Sequence, residues 1–371
     1  MREAMAIYDI MEKSQALRQD MSLRNLFELT CAYGDVAAAV ELVDDKEQIT
    51  TYTQYRQWSV NYAAYLRNAI GVEKRGAFVA ISLETCKEWY PTFWGVIQAG
   101  YNALLLDANL PDDMIAYLMS QAGSDIIITQ KERSLTGVKL IKAVELFAAP
   151  AAQDFIPDYG DNVALCTSGT TSTSRVFVYN GRAIAEQVLS SQLIYEENKR
   201  LIDNRNMRVL AFLPYHHVLG FIANLLWVSF IGYTNVYLKD RSPATIVQTA
   251  RRCRVEMMIT VPLLANNMCT TLRKKLAKES RLKQGLFNAM MYLSLGTQRI
   301  APRFGLWLGG QVLFKSILEN ALGSQLRVVI LGGSHTPTEH LKLFNGLGYY
   351  TVCGFGMTET TPVTHTNPFE G

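Results

Sequence analysis

The sequence predicts an α/β protein built as two similar, mostly parallel-sheet subdomains with helices on both faces. Short β-branched runs alternate with helical segments through most of the chain, the pattern of parallel strands joined by crossover helices. At 371 residues the chain exceeds what a single core usually holds, so two units are expected. A composition of 49% apolar and 19% charged residues supplies an ordinary globular core.

The opening stretch, MREAMAIYDIMEKSQALRQD, mixes both charge signs and has no continuous apolar run. Residues 1–21 are therefore expected to be a helical segment and not a signal peptide. The first subdomain is placed at 22–160. FVAISL (78–83) is strand-like, KEWYPTFWGVIQAG (87–100) an apolar helix, and NALLLDA (102–108) a strand. PDDMIAYLMSQAG (111–123) starts with proline and two acids and stops at glycine, and SDIIITQ (124–130) is the next strand. This β-α-β-α-β order makes right-handed crossovers and a parallel sheet the default.

The second subdomain is placed at 161–371. MRVLAFLP (207–214) and TNVYLK (234–239) are strands around an uncharged segment. Ser242-Pro243 caps a helix running through Arg252, EMMITV (256–261) is a strand, residues 263–324 are helical, and LRVVIL (326–331) returns to strand. Thr336-Pro337-Thr338-Glu339 forms a capping box for a helix to about Gly346, followed by the strand YYTVC (349–353).

A net charge of +3 argues against nucleic acid as the main partner. The densest basic stretch, RKKLAKESRLK (273–283), is read either as a solvated helix face or as a peripheral contact to an anionic membrane or polyphosphate. Six scattered cysteines with no CxxC pair point to free thiols in a reducing compartment, hence a cytoplasmic protein. Residues 218–238 carry no charge and are long enough to span a bilayer. Gly232 and the strand-like residues after it favour a buried helix to about Ile231 and then a strand, with no transmembrane segment.

Two places could carry chemistry. Residues 162–180, NVALCTSGTTSTSRVFVYN, set a hydroxyl-rich loop between two strands, with Arg175 at its end. Such a loop is either a polar linker or an anion-binding concavity, and the absence of GK[ST] excludes a Walker A loop. The β-α-β unit at 326–359 ends its strands in GGSH and GFGMTE, which must open on one carboxyl edge. PYHH after the 207–213 strand opens there too if that strand is parallel. These glycines are either tight turns or a backbone surface for a ligand.

Together these segments resemble the adenylate-forming (AMP-binding) superfamily of acyl-CoA synthetases and related ligases. Thr167–Thr171 match the first half of that family's [ST]SG[ST]TGxPKG loop. PYHHVLG (214–220) resembles its PxxHxxG, GGSHTP (332–337) its GGxxL turn, and GFGMTE (354–359) its YGxTE. The likeness spans about residues 22–371, and the helical stretch 281–327 resembles the long-chain fatty acyl branch. The resemblance implies MgATP-dependent conversion of a carboxylate, here a fatty acid, to an acyl-adenylate, with CoA or a carrier-protein phosphopantetheine as thiol acceptor. It implies that Thr167, Ser168, Gly169, Thr170 and Thr171 hold the β/γ-phosphates, that Thr358 contacts the α-phosphate, and that Glu359 binds Mg²⁺. Gly332, Gly333, Ser334, Gly354, Phe355 and Gly356 would line the adenine and acyl site, with His217 near the acyl carboxylate and His216 packing within the fold.

The chain departs from the pattern at STSRV (172–176), where the family has GxPKG. Arg175 keeps the charge of the family lysine as a planar fork of different reach, and Ser172 and Val176 replace glycines. By the same resemblance, the ribose-binding aspartate, the hinge and the C-terminal lid domain with its lysine would lie beyond Gly371. The chain itself would then be weak or inactive. The alternatives are a non-catalytic nucleotide- or acyl-binding module of the same fold, and an amino-acid adenylation domain.

Overall fold

The computed structural model describes residues 10–167, 174–197, 206–333, 336–355 and 364–366. Fourteen strands appear among them: β1 Ala37–Val43, β2 Lys46–Thr51, β3 Phe78–Ser82, β4 Asn102–Leu105, β5 Ile126–Thr129, β6 Lys139–Lys142, β7 Asn162–Cys166, β8 Val176–Asn180, β9 Arg208–Ala211, β10 Thr234–Tyr237, β11 Met257–Thr260, β12 Val328–Leu331, β13 Tyr350–Phe355 and β14 Thr364–Thr366. They form an eight-stranded sheet, β14-β13-β12-β11-β9-β10-β1-β2, and a six-stranded sheet, β6-β5-β3-β4-β7-β8. Pairing is parallel except at β1/β2, β7/β8 and β13/β14. The two mostly parallel sheets expected from the alternation are therefore present.

The sheets do not divide the chain at 160/161, which corrects the subdomain boundary drawn from sequence. The β1–β2 hairpin, turned by Asp44 and Asp45 at φ 48° and 63°, joins the eight-stranded sheet through β10. Strands β7 and β8 close the six-stranded sheet, so the hydroxyl-rich loop hangs from the first sheet and not the second. The reason is packing: β4 has an open side, and β7 fills it with Val163 and Leu165 pointing into the same core as Ala103 and Leu105.

Period-2 burial sorts the side chains into layers. Val79 and Ile81 of β3 share one core with Val209 and Ala211 of β9, whereas Ala80 and Leu210 face two separate outer cores. Helices Leu23–Thr30, Tyr52–Ile70, Trp89–Gln98 and Gly181–Glu197, with the π-helical turn Gly220–Trp227, contribute to that shared core. A helical layer thus lies between two sheets. All ten residues of Trp89–Gln98 are buried, as its lack of charge predicts. Aromatic hydroxyls cross the layer: Tyr33 donates to the Phe230 carbonyl and Tyr52 to the Tyr233 carbonyl, each at 2.6 Å.

The uncharged 218–238 segment forms a buried helical stretch to Phe230 and then β10, with π-helical winding from Gly220 to Trp227. Among the described residues no helix is long and apolar enough to cross a membrane. All six cysteines are free. The capping box expected at 336–339 is not made. The helix spans Thr338–Gly346 with Pro337 at its N-cap position, and the buried Thr336 hydroxyl engages Cys353 instead.

Removing the Tyr52 hydroxyl leaves a buried carbonyl without its donor. Tyr52→Phe is expected to lower the unfolding free energy by about 1–3 kcal/mol at unchanged denaturant slope, measured by urea titration.

Candidate active site

Strands β9, β11, β12 and β13 run parallel in neighbouring register, so their carboxyl ends share one edge of the eight-stranded sheet. The PYHH segment follows β9, Gly332-Gly333 follows β12, and Gly354-Phe355 ends β13. One glycine shows how closely these meet. Gly332 donates its N–H to the Thr260 carbonyl at 3.0 Å. A Cβ there would lie 2.9 Å from Leu219 Cδ2 and 3.5 Å from the Gly354 carbonyl oxygen. A side chain there would have to displace the Leu219 side chain and would touch the Gly354 backbone, so glycine lets the three segments lie close together. Gly333 beside it has φ +93°, a left-handed conformation suited to glycine.

The carboxyl edge of the six-stranded sheet supplies the other side. Thr85, after β3, donates to the Leu213 carbonyl at 3.3 Å and accepts from Arg241 Nη2 at 3.1 Å. Asp107, after β4, places Oδ2 3.7 Å from His216 Nε2. Because β4 and β7 pair at Leu105↔Leu165, Thr167 stands two residues past the same rung as Asp107. The loop stem, the histidine pair and the glycine edge are thereby gathered where the two sheets meet.

The stem of the hydroxyl loop is fixed locally. Thr167 N–H donates to the Arg175 carbonyl, and Arg175 N–H donates to Thr167 Oγ1, each at 3.0 Å. Gln121, from helix Asp112–Ala122, clamps it by donating to the Ser174 carbonyl and accepting from Val176 N–H, both at 3.3 Å. Arg175 is exposed. Burial pushes the neighbouring Cys166 thiol up to about 12, so no thiolate competes with an anion there.

Of the site residues expected from sequence, Thr167, Arg175, His217, Gly332, Gly333 and Gly354 are placed, with the backbone of Phe355. Ser168, Gly169, Thr170, Thr171, Ser334, Gly356, Thr358 and Glu359 lie outside the described residues. Sequence reasoning missed Thr85, Asp107, Gln121 and Arg241. The position of Thr85 and Asp107 just past the carboxyl ends of two parallel strands was the available signal. Nothing in the sequence marks Gln121, which acts through a helix packed beside the stem.

His216 and His217 lie against each other with ring centroids 4.2 Å apart and planes tilted by 53°. His217 is the exposed member, open to a ligand, while His216 is half-buried against Asp107. Burial, then the neighbouring His217, lowers the His216 pKa to about 4 despite Asp107. Desolvation and Arg241 lower His217 as well, against the opposing pull of Asp107. Both rings are therefore neutral near pH 7. A His whose folded pKa lies below its unfolded value of 6.5 binds fewer protons folded than unfolded between the two values. The stability it contributes is complete above pH 6.5 and is lost as pH falls toward 4. Denaturant titration over that window should show unfolding free energy falling with pH by up to ~1.4 kcal/mol per unit for His216, and His216→Asn should flatten the slope.

The AMP-binding enzyme family model matches residues 30–371. Bacitracin synthase 3 of Bacillus licheniformis is 28% identical over 188 residues, 49% of this chain and 3% of that protein. Long-chain-fatty-acid–CoA ligase 4 of Saccharomyces cerevisiae is 31% identical over 162 residues, 41% of this chain and 22% of that protein. The chain thus spans only a small part of the length of these curated relatives. The solved N-terminal domain of FACL13 from Mycobacterium tuberculosis shares the fold, with a TM-score of 0.65 at 18% identity, over 92% of this chain and 77% of that one. With the family model covering nearly the whole chain, this protein belongs to the AMP-binding, adenylate-forming enzymes.

Proposed function

We propose that the chain serves ATP-dependent activation of a carboxylic acid, a fatty acid in the first reading. The acid's oxygen attacks the α-phosphorus and pyrophosphate leaves; the thiol of CoA or a carrier-protein phosphopantetheine then attacks the acyl carbon, losing its proton, and AMP leaves as the acyl–phosphate bond breaks. The observation that carries this reading is the meeting of Gly332, Leu219 and Gly354 on one sheet edge, facing the Asp107–His216 contact from the other sheet.

The roles follow from chemistry and position. Thr167 to Thr171 would cradle the β- and γ-phosphates. The Thr167 hydroxyl accepts one bond from Arg175 and keeps its proton for a phosphate oxygen. Arg175 adds a guanidinium at the mouth of the loop. By the family resemblance, the Gly332–Gly333 backbone, Ser334, Gly354 and Gly356 would line the adenine and acyl site, and Phe355 would offer an aromatic face. Neutral His217 can hydrogen-bond the acyl carboxylate without fixing it as an ion pair. Thr358 would reach the α-phosphate, and Glu359 would hold Mg²⁺, which when bound offsets the phosphate charge. Six free thiols support a cytoplasmic setting.

The similarity to bacitracin synthase 3 favours a second reading, an amino-acid adenylation domain. An amino-acid substrate brings an ammonium group that needs a facing carboxylate. The PYHH segment carries none, and Asp107 beside it faces His216. The fatty acyl reading therefore stands first.

Carboxylate-dependent exchange of labelled pyrophosphate into ATP tests the proposal. A long-chain fatty acid should support exchange where amino acids do not, and Glu359→Ala should reduce it by about a hundredfold or more, as expected on losing electrostatic stabilisation of the transition state. With the full-length protein, ATP binding by calorimetry but no exchange for any carboxylate would mean a non-catalytic module. Gly332→Val should lower exchange at least about tenfold, since its side chain must push apart the Leu219 and Gly354 segments that align the reactants.

A further inference from the structure

Among the described residues, nine of the twenty large apolar side chains that stand exposed fall between residues 282 and 317. They are not scattered. On the helix Arg281–Ile300, one face packs inward through Phe287, Met290 and Met291, with Ser294 and Gln298 buried and Gln298 donating to the Asn345 carbonyl at 2.8 Å. Leu282, Leu286, Leu293 and Ile300 recur at spacings of four and seven, which places them on one line along the other side of the same helix. Leu282 is 85% and Ile300 90% exposed. This helix is apolar on two sides, and the fold uses only one of them.

The next helix, Pro302–Trp307, packs against the first and continues the apolar surface. Phe304 and Trp307 stack with ring centroids 5.5 Å apart, and both are about half exposed. The charge around this surface has one sign. From Arg273 to Leu318 the sequence holds nine Lys or Arg and a single acid, Glu279, which pairs with Lys283 at 2.7 Å. Among the described residues only Arg273 and Lys315 of the other basic residues there have an acidic partner, Glu339 and Glu319.

We infer that the Arg281–Ile300 and Pro302–Trp307 helices form a docking surface for an anionic lipid bilayer. The helix would lie in the plane of the interface, its leucine line and the Phe304–Trp307 pair in the headgroup–acyl boundary, and its flanking cations among lipid phosphates and carboxylates. Its inward side is committed to the protein core, so it does not enter the bilayer as a span. Charge complementarity selects this occupant. A second copy apposed through the same surface would set two clusters of like charge against each other, whereas an anionic bilayer satisfies both the apolar line and the cations. The inference holds for any acyl class taken by the active site.

Flotation of the full chain with vesicles tests it. Binding is expected to phosphatidylcholine vesicles containing about 30% phosphatidylserine, and to be at least about tenfold weaker with phosphatidylcholine alone. Trp307 is the one tryptophan of five that is exposed, so its emission should shift to the blue on binding, and Trp307→Phe should remove the shift. Leu286→Glu/Leu293→Glu and Lys274→Glu/Lys275→Glu/Arg281→Glu should each cut the bound fraction by about tenfold or more, with unchanged melting because all five positions are exposed. If the first variant misfolds, Leu286→Ser/Leu293→Ser gives the same reading. Absence of binding to the anionic vesicles, equal binding to neutral ones, or binding retained by both variants overturns the proposal. So does a concentration-dependent dimer of the parent chain that Leu286→Glu/Leu293→Glu abolishes, which would assign the surface to a second copy.

Discussion

The structure depends on a helical layer shared by two sheets. Sheets with apolar residues on both faces must be covered on both, and here one set of helices covers the inner face of each. Trp89, Trp94 and Trp227 are fully buried in this layer, and Tyr55 stacks on Tyr90 with centroids 4.7 Å apart. The tyrosine hydroxyls inside it are spent on carbonyls and on one another: Tyr33 on Phe230, Tyr52 on Tyr233, Tyr215 and Tyr55 toward Tyr237. Their partners lie in distant parts of the sequence. The layer therefore fixes the separation and angle of the two sheets as a unit, and the site at their carboxyl edges inherits that geometry.

At the junction the fold sets electrostatics by burial as much as by charge. A histidine pair beside an aspartate could hold one proton, yet desolvation lowers both, and His217 lowers His216 further, so both are neutral near pH 7. Arg241 adds a cation that works in the same direction and also binds Thr85. For the polyphosphate and carboxylate proposed to bind here, neutral donors and a few placed cations would serve better than a fixed anionic site. Among the described residues Asp107 is the one acid seen against the histidines, with its Oδ2 3.7 Å from His216 Nε2 across the junction of the two sheets.

The STSRV stretch takes on a more limited meaning in the structure. Val176 is the first residue of β8, paired with Cys166, and Arg175 closes the stem through Thr167. At these two positions the chain is extended strand or stem, where a side chain costs nothing in backbone freedom. Ser174 is buried, its carbonyl held by Gln121. The backbone at the carboxyl half of this stretch is thus held in a hydrogen-bonded ladder, which leaves the Arg175 side chain exposed at the end of the loop.

Much of this was legible in the sequence because it is local. The β3–β5 run, the Gly332-Gly333 turn after β12 and the Ser242-Pro243 helix start follow from side-chain period, capping and turn chemistry, which act over a few residues. The strand expected to end at Cys353, by contrast, continues through Gly354 and Phe355 because β14 pairs with it. The motif series was legible too, down to the shared edge on which PYHH and the glycine turns open. Sequence alone did not decide which strands pair. The β1–β2 hairpin crosses to the sheet built from residues after 206, and β7–β8 stay with the sheet built before 143, because edge strands join wherever an unpaired ladder and an apolar face are both open. Nor could it show Asp107 against His216 or Gln121 against the loop stem, contacts across more than fifty residues. Local chemistry wrote the strands and the turns into the sequence; only long-range burial, which depends on where every other element lies, brought the loop stem, the histidine pair and the Gly332–Gly333 edge to the junction of the two sheets.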